Sequence, residues 1–240
     1  MIAYFGKNSL KQAIRNKPIR FGYKAWCLAT VSGYLVTFDL YQGVGVGTNH
    51  QANVVNVGAS GASVLDLLDI LPEDKRRLSY HIFGDNYFSS LKLVDSLVER
   101  NYNYTGRIRS DRLKGKPNLT SSDQFKKKTE DPVKLSVCKM IVKPLSDGMI
   151  INAPVTLISS VLGDQPAATC SRYSRSSKRY IEVPQPHVVK VYNSMMGGVD
   201  RMDQNINHLR ISIGGKKWYW SIVTWLLDTC VQNSWQLAAS

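Results

Sequence analysis

The sequence predicts an α/β fold in which a mixed sheet is layered with helices. Two kinds of observation predict it. Some stretches alternate apolar and polar residues at the period of a strand, while others repeat apolar residues every three or four positions. A third observation is that the two kinds are interleaved along the chain rather than segregated. Composition permits such a fold. Of 240 residues, 43% are hydrophobic, which suffices for one domain with an inserted subdomain, and aromatics run throughout, which excludes wholesale disorder.

Residues 1–20 are polar and basic and end in Lys17-Pro18-Ile19-Arg20. From 22 to 41, Tyr34, Val36, Phe38 and Leu40 alternate with Leu35, Thr37, Asp39 and Tyr41, and Ser32-Gly33 separates two such runs. This predicts a β-hairpin. Residues 43–61 are rich in Gly, Asn and Ser and are expected to form a loop. Their GVGVG lacks the G-x-G-x-x-G spacing of a dinucleotide fingerprint. A helix over 62–71 follows from Val64, Leu65, Leu67, Leu68 and Leu71 and ends before Pro72. LSYHIFG then reads as a strand that delivers Gly84-Asp85-Asn86. Residues 87–99 read as a helix with Phe88, Leu91, Val94, Leu97 and Val98 on one stripe. Tyr104 to Arg109 is short and extended.

Residues 110–134 change character to Lys, Asp, Ser, Pro and Gly; two strand candidates follow at 135–143 and 154–161; residues 164–186 are again polar and basic. We read 110–186 as an inserted, mainly β subdomain with mobile rims. From His187 the pattern is helical, with one helix to about Asn207 interrupted near Gly197-Gly198. A second spans about 216–237 on the stripe Trp218, Ile222, Trp225 and Leu226, where Trp218 is expected in the core.

The formal net charge is +13, from 31 Lys and Arg against 18 Asp and Glu. Such a surplus points to a polyanionic partner, most commonly nucleic acid. Three basic clusters carry aromatics or lie beside them: Arg107, Arg109, Arg112, Lys114 and Lys116; Arg172 and Arg175 with Lys178, Arg179, Tyr173 and Tyr180; and Lys216-Lys217-Trp218-Tyr219-Trp220. Cations of this kind neutralise phosphates, and the rings pack on sugars or unpaired bases. The four cysteines are too dispersed for a zinc clip, and the apolar neighbours of Cys27 and Cys230 predict buried free thiols. Met1 leads into a polar stretch, so no signal peptide is expected, and no segment approaches the ~20 apolar residues of a membrane span.

Two acidic features can carry chemistry. Asp85 follows a strand and precedes a helix. There it serves either as a metal ligand or acid/base group at a strand end, or as a cap on the following helix. Asp200 and Asp203 stand at i, i+3 on one helix face, which suits either a shared cation or a solvated first turn favoured by the helix dipole. Three carboxylates converging from a strand end and a helix would suit two divalent ions acting on a phosphodiester. His50, His81, His187 and His208 form no ligand set by spacing and are read as structural.

Taken together, KPIRFGYKAW with GYLVTFDLYQG, GDNYFSS, TGRIR, VYNSMMGGVDRMDQ, KKWYWSIVTWLLD and QNSW resemble the piggyBac transposase family. The segments stand in the family's order and cover nearly all of residues 4–236. The resemblance implies a ribonuclease-H-like core with its first, central strand missing. The core would comprise residues 1–109 and 187–240, with 110–186 as the mainly β insertion. It implies metal-dependent DNA cleavage and strand transfer at TTAA sites. Asp85, Asp200 and Asp203 would be the catalytic and metal-binding acids, and Mg2+ or Mn2+ the cofactor. The family's first aspartate would lie three residues before Met1, so a catalytically incomplete copy is expected. The alternative is a non-catalytic module that binds DNA or a protein partner. Double-stranded DNA is the expected partner and the nucleus the expected location, with pairing of two copies left open.

Overall fold

The computed structural model describes all residues except 16, 44–47, 114–135, 141–154, 175–177, 209, 212, 214, 216 and 240. Among the described residues the architecture is mixed α/β with four small sheets. The chain begins with three short strands, β1 (Ile2–Ala3), β2 (Gln12–Ala13) and β3 (Phe21–Tyr23), in an antiparallel sheet of order β1-β3-β2. The expected hairpin follows: β4 (Ala25–Ala29) pairs antiparallel with β5 (Leu35–Leu40). Its turn is closed by Thr30 N donating to Tyr34 O at 2.9 Å and Gly33 N to Thr30 O at 3.0 Å.

The alternation in β5 is not as expected. Leu28 pairs with Thr37 but Ala29 pairs with Leu35, so Val36 is an extra residue in the ladder. An extra residue shifts every following side chain to the other face. Leu35 therefore joins Phe38 and Leu40 in the core, while Val36 faces solvent.

The expected loop at 43–61 is also corrected. It contains α1 (Thr48–Val57) and the start of α2 (Ala59–Asp69), which extends the helix expected from 62. Gly58, at φ +81°, makes the break between them, a conformation that glycine adopts without penalty. Weak local propensity is overcome here by burial of Asn53, Val57 and Ala62. His50 Nδ1 also meets Asp66 Oδ2 at 2.5 Å. A short helix, α3 (Glu73–Arg76), follows Pro72.

Next come β6 (His81–Gly84), α4 (Leu91–Glu99) and β7 (Asn103–Arg107), a strand–helix–strand unit with β6 and β7 parallel. The helix starts at 91 rather than 87 because Ser90 caps it, its side chain accepting from Leu93 N at 3.2 Å. Residues 85–89 are thereby left to form a turn. A 3-10 turn spans Ser110–Leu113. Strands β8 (Ser136–Met140) and β9 (Val155–Ser159) match the two expected candidates and extend the same sheet, in order β6-β7-β9-β8. This sheet thus draws strands from both sides of the 109/110 boundary. Across its interior, His81 Nε2, Thr105 Oγ1 and Ser159 Oγ form a hydrogen-bonded chain of 2.9 and 2.7 Å. Burial holds the His81 pKa below its ordinary value.

Residues 164–186, read only as polar and basic, contain an antiparallel ribbon of β10 (Ala168–Ser174) and β11 (Arg179–Gln185). Half-buried Ile181 and Val183 alternate with exposed Glu182 and Pro184, a period of two that the surrounding Ser, Arg and Lys obscure. The chain closes with α5 (His187–Met195), α6 (Gly198–His208) and α7 (Trp220–Ala238). The interruption at 197–198 stands where expected. Trp218 does not stand in the core. It lies in the turn before α7, is 42% exposed and meets Tyr23 edge-on at 6.1 Å.

Two compact units result: residues 1–52, 66–75 and 197–240, and residues 53–65 and 76–196. The first unit packs Ile2, Tyr23, Leu35, Met202, Ile206 and Trp225 together. Its α7 also holds the hairpin by side-chain amides. Asn233 exchanges two 2.9 Å bonds with the Leu35 backbone, and Gln236 Nε2 donates to Ser32 O at 2.7 Å. The second unit packs Leu157, Val188, Val189 and Tyr192 with Phe83, Leu162 and Met196. No helix among the described residues is long and apolar enough to cross a membrane.

Candidate active site and basic surfaces

The parallel pairing of β6 and β7 aligns Gly84 with Gly106, so Asp85, the first residue past β6, stands level with Arg107, the last residue of β7, at the same end of the two strands. Strand ends of this kind collect functional groups because loops there are free of the ladder. Asp85 is exposed. It is not the cap of α4, which is Ser90. Instead its Oδ1 accepts from Tyr87 N at 2.8 Å, closing a local turn, and its backbone O accepts from Ser89 Oγ at 2.9 Å. Ser89 Oγ also meets the Tyr104 hydroxyl at 2.7 Å. Tyr104 is fully buried, and that burial raises its pKa, so its hydroxyl keeps its proton and remains a hydrogen-bond partner at all physiological pH values.

Two further residues, not singled out as acting on this turn from the sequence, brace the edge. Tyr192 of α5 donates from its hydroxyl to Gly84 O at 3.3 Å and takes a hydrogen bond from the Arg107 backbone. Arg112 donates from Nη1 to Tyr87 O at 2.9 Å and to Ser89 O at 2.7 Å. The sequence signal for Tyr192 was its place in VYNSMMGGVD. No local pattern announces the Arg112 bonds, because their acceptors lie more than twenty residues away.

In the first unit Asp200 and Asp203 stand on α6. Asp200 is exposed in the first turn, where the helix dipole favours a negative charge. Asp203 is only partly exposed, and burial is the main cause raising its carboxyl pKa. The Met1 ammonium opposes that shift, Asp200 adds to it, and Lys17 opposes it. A solvated-turn role therefore describes Asp200 but not Asp203. The Cys27 thiol is pushed up to about 12, mainly by burial and then by the negative charge of Asp203. Since the thiolate is the reactive species, Cys27 should resist alkylation at pH 8 while exposed Cys230 reacts. Peptide mass mapping after brief iodoacetamide treatment of the folded chain checks this; equal labelling of the two would refute it. The exposure of Cys230 also corrects its expected burial.

Asp85 belongs to one unit and Asp200 and Asp203 to the other. Neither unit by itself holds all three acids, and among the described residues no group of three or more His, Cys, Asp or Glu side chains is arranged to hold a metal ion.

The basic residues divide into four groups. Arg107, Arg109, Lys178, Arg179 and Lys217 are exposed. Arg112 is half-buried on backbone carbonyls, which differs from the free phosphate contact expected of it. Arg172 takes its place in β10 opposite Ile181, while Lys114, Lys116, Arg175 and Lys216 lie outside the described residues. On the β10–β11 ribbon Tyr173 pairs with Tyr180. Their rings meet edge to face at 5.4 Å, and both are exposed beside Lys178 and Arg179.

The profile of the Transposase IS4 family matches residues 1–235. Human PiggyBac transposable element-derived protein 3 is 41% identical over 239 residues, which are 99% of this chain and 39% of that protein. Human PiggyBac transposable element-derived protein 2 is 35% identical over 245 residues, again 99% of this chain and 39% of that protein. The chain thus spans about two fifths of the length of these relatives. No solved structure matches it. A match across nearly the whole chain, with GDNYFSS and GGVDRMDQ on the elements just described, assigns the chain to the piggyBac-type transposases of the Transposase IS4 family.

Proposed function

We propose that the chain is the DNA-handling and catalytic part of a piggyBac-type transposase, built as a ribonuclease-H-like core. It acts on double-stranded DNA in the nucleus, with TTAA as the target and Mg2+ or Mn2+ as the required ion. Asp85, Asp200 and Asp203 are the acids of this reading, and Arg107, Arg109, Lys178, Arg179 and Lys217 contact phosphates. The observation that carries it is the exposed Asp85 at a parallel strand end, whose carboxylate accepts from Tyr87 N while its backbone carbonyl accepts from Ser89 N and Ser89 Oγ. A carboxylate preset at such an edge pays no ordering cost when substrate arrives.

The test is nicking of a TTAA-flanked transposon-end duplex in Mn2+ or Mg2+ by a longer chain in which upstream sequence supplies the family's first aspartate, comparing the wild type with Asp85→Asn. The expected result is ion-dependent nicking by the wild type that is lost in the variant, with DNA affinity retained, since the substitution removes a negative charge and no phosphate contact. Nicking that survives Asp85→Asn would end the assignment of this residue. A wild type that binds DNA but never nicks it would favour the second reading, a non-catalytic DNA-binding module. The exposed ribbon supports that second reading, because its tyrosine pair and cations suit nucleic acid whether or not any bond is cut.

A further inference from the structure

Arg112 stands in a cluster that reads, as sequence, like a phosphate-binding stripe, yet its guanidinium is directed elsewhere. Its Nη1 bridges the carbonyls of Tyr87 and Ser89, two residues apart in the turn that follows Asp85. Both acceptors precede the helix capped at Ser90, so they lie outside the hydrogen-bond ladder of α4. The same turn is held from within by Asp85 Oδ1 on Tyr87 N and from below by Ser89 Oγ on the Tyr104 hydroxyl. A charged donor shared by two carbonyls is among the stronger hydrogen-bonding arrangements a side chain offers.

We infer that Arg112 is a positioning residue: it fixes the 85–89 turn, and with it the direction of the Asp85 carboxylate, instead of contacting DNA phosphate. The inference deepens the catalytic reading above and rests on it for its effect on cleavage. The latch itself does not depend on that reading. Arg107, exposed at the end of β7, supplies the contrast, since its side chain is open to solvent at the same sheet edge.

Three readouts on Arg112→Ala, Arg112→Lys and Arg107→Ala test it. The first is hydrogen exchange of the Tyr87, Phe88 and Ser89 amides. Loss of the charged bonds in Arg112→Ala should speed it by about 10- to 100-fold, with no change in Arg107→Ala. The second is the slope of log K against log salt for duplex binding. It should fall by about 0.9 in Arg107→Ala and stay unchanged in Arg112→Ala, because only a phosphate contact releases a counterion. The third is nicking, where Arg112→Ala should lower kcat by about 10- to 100-fold with KM for DNA unchanged. Arg112→Lys keeps the charge and guards against a variant that fails to fold. A phosphate contact predicts wild-type nicking from it, and the latch predicts a lowered kcat. Unchanged exchange at 87–89, or a salt slope that drops as in Arg107→Ala, would overturn the proposal. If the wild type never nicks, the catalytic reading fails, and exchange and salt slope still decide the latch.

Discussion

Trp225→Ala is expected to destabilise the first unit by about 3–5 kcal/mol, the range for removing a large aromatic from a packed core. Trp225 is 6% exposed in the second turn of α7 and packs with Ile2, Tyr23, Leu35, Met202 and Ile206. Its ring meets Phe38 edge-on at 5.1 Å, with ring planes at 79°. The indole therefore joins three parts of the sequence that are far apart: the N-terminal sheet, the hairpin and the α6–α7 pair. Truncation leaves a cavity that these rigid neighbours cannot fill, and cavity formation adds to the lost transfer energy. Urea unfolding followed by far-UV circular dichroism should show the first unit melting at lower denaturant. Hydrogen exchange should lose protection across β4, β5, α6 and α7. Trp225→Phe, which keeps an aromatic ring, should cost clearly less. A loss below about 1 kcal/mol for the alanine variant would mean that this side chain is not the centre of the core.

Gly106→Ala is expected to cost about 1–3 kcal/mol by overpacking. A Cβ at this position would lie 2.5 Å from Ser89 Oγ and 2.7 Å from the Tyr104 hydroxyl. Neither neighbour can move aside. Ser89 and Tyr104 are both fully buried and are bonded to each other. Gly84, opposite Gly106 in the parallel ladder, is under the same constraint, since a Cβ there would collide with the same hydroxyl. Removing that hydroxyl should relieve part of the clash. In a double-mutant cycle, Gly106→Ala combined with Tyr104→Phe should therefore cost less than the sum of the two single changes. Strict additivity would show that the hydroxyl is not the obstacle. The prediction matters for the site because the two glycines flank Asp85 and Arg107. The sheet edge is close-packed immediately beneath the residues that reach solvent.

The sequence made the locally encoded parts legible. The hairpin at 22–41, the strand into Asp85, the β8 and β9 candidates and the helix break at 197–198 each carry their own periodicity or punctuation, and the structure has them. What it obscured were elements whose stability comes from elsewhere. α1 has few helix-favouring residues and is held by burial and by the short His50–Asp66 contact. The β10–β11 ribbon hides its alternation among Ser, Arg and Lys. The candidate site divides in the same way. Asp85, Asp200 and Asp203 stood out by residue type and position, but pattern alone left helix-capping and solvated-turn roles open, and their reading as catalytic acids came from the resemblance to the piggyBac family.

The sequence by itself determined the family, the α/β class, the basic surplus and the identity of the candidate acids, since each depends on residue type and local order. Only the tertiary structure decided what a given side chain does. It placed Ser90 rather than Asp85 at the cap of α4, put an extra residue at Val36 that reverses the face of β5, left Trp218 half in solvent, and set Arg112 on the carbonyls of Tyr87 and Ser89. The physical reason is geometric. A hydrogen bond or a buried contact requires a partner at the right distance and angle, and for most of these residues the chain supplies that partner only after folding has brought remote segments together.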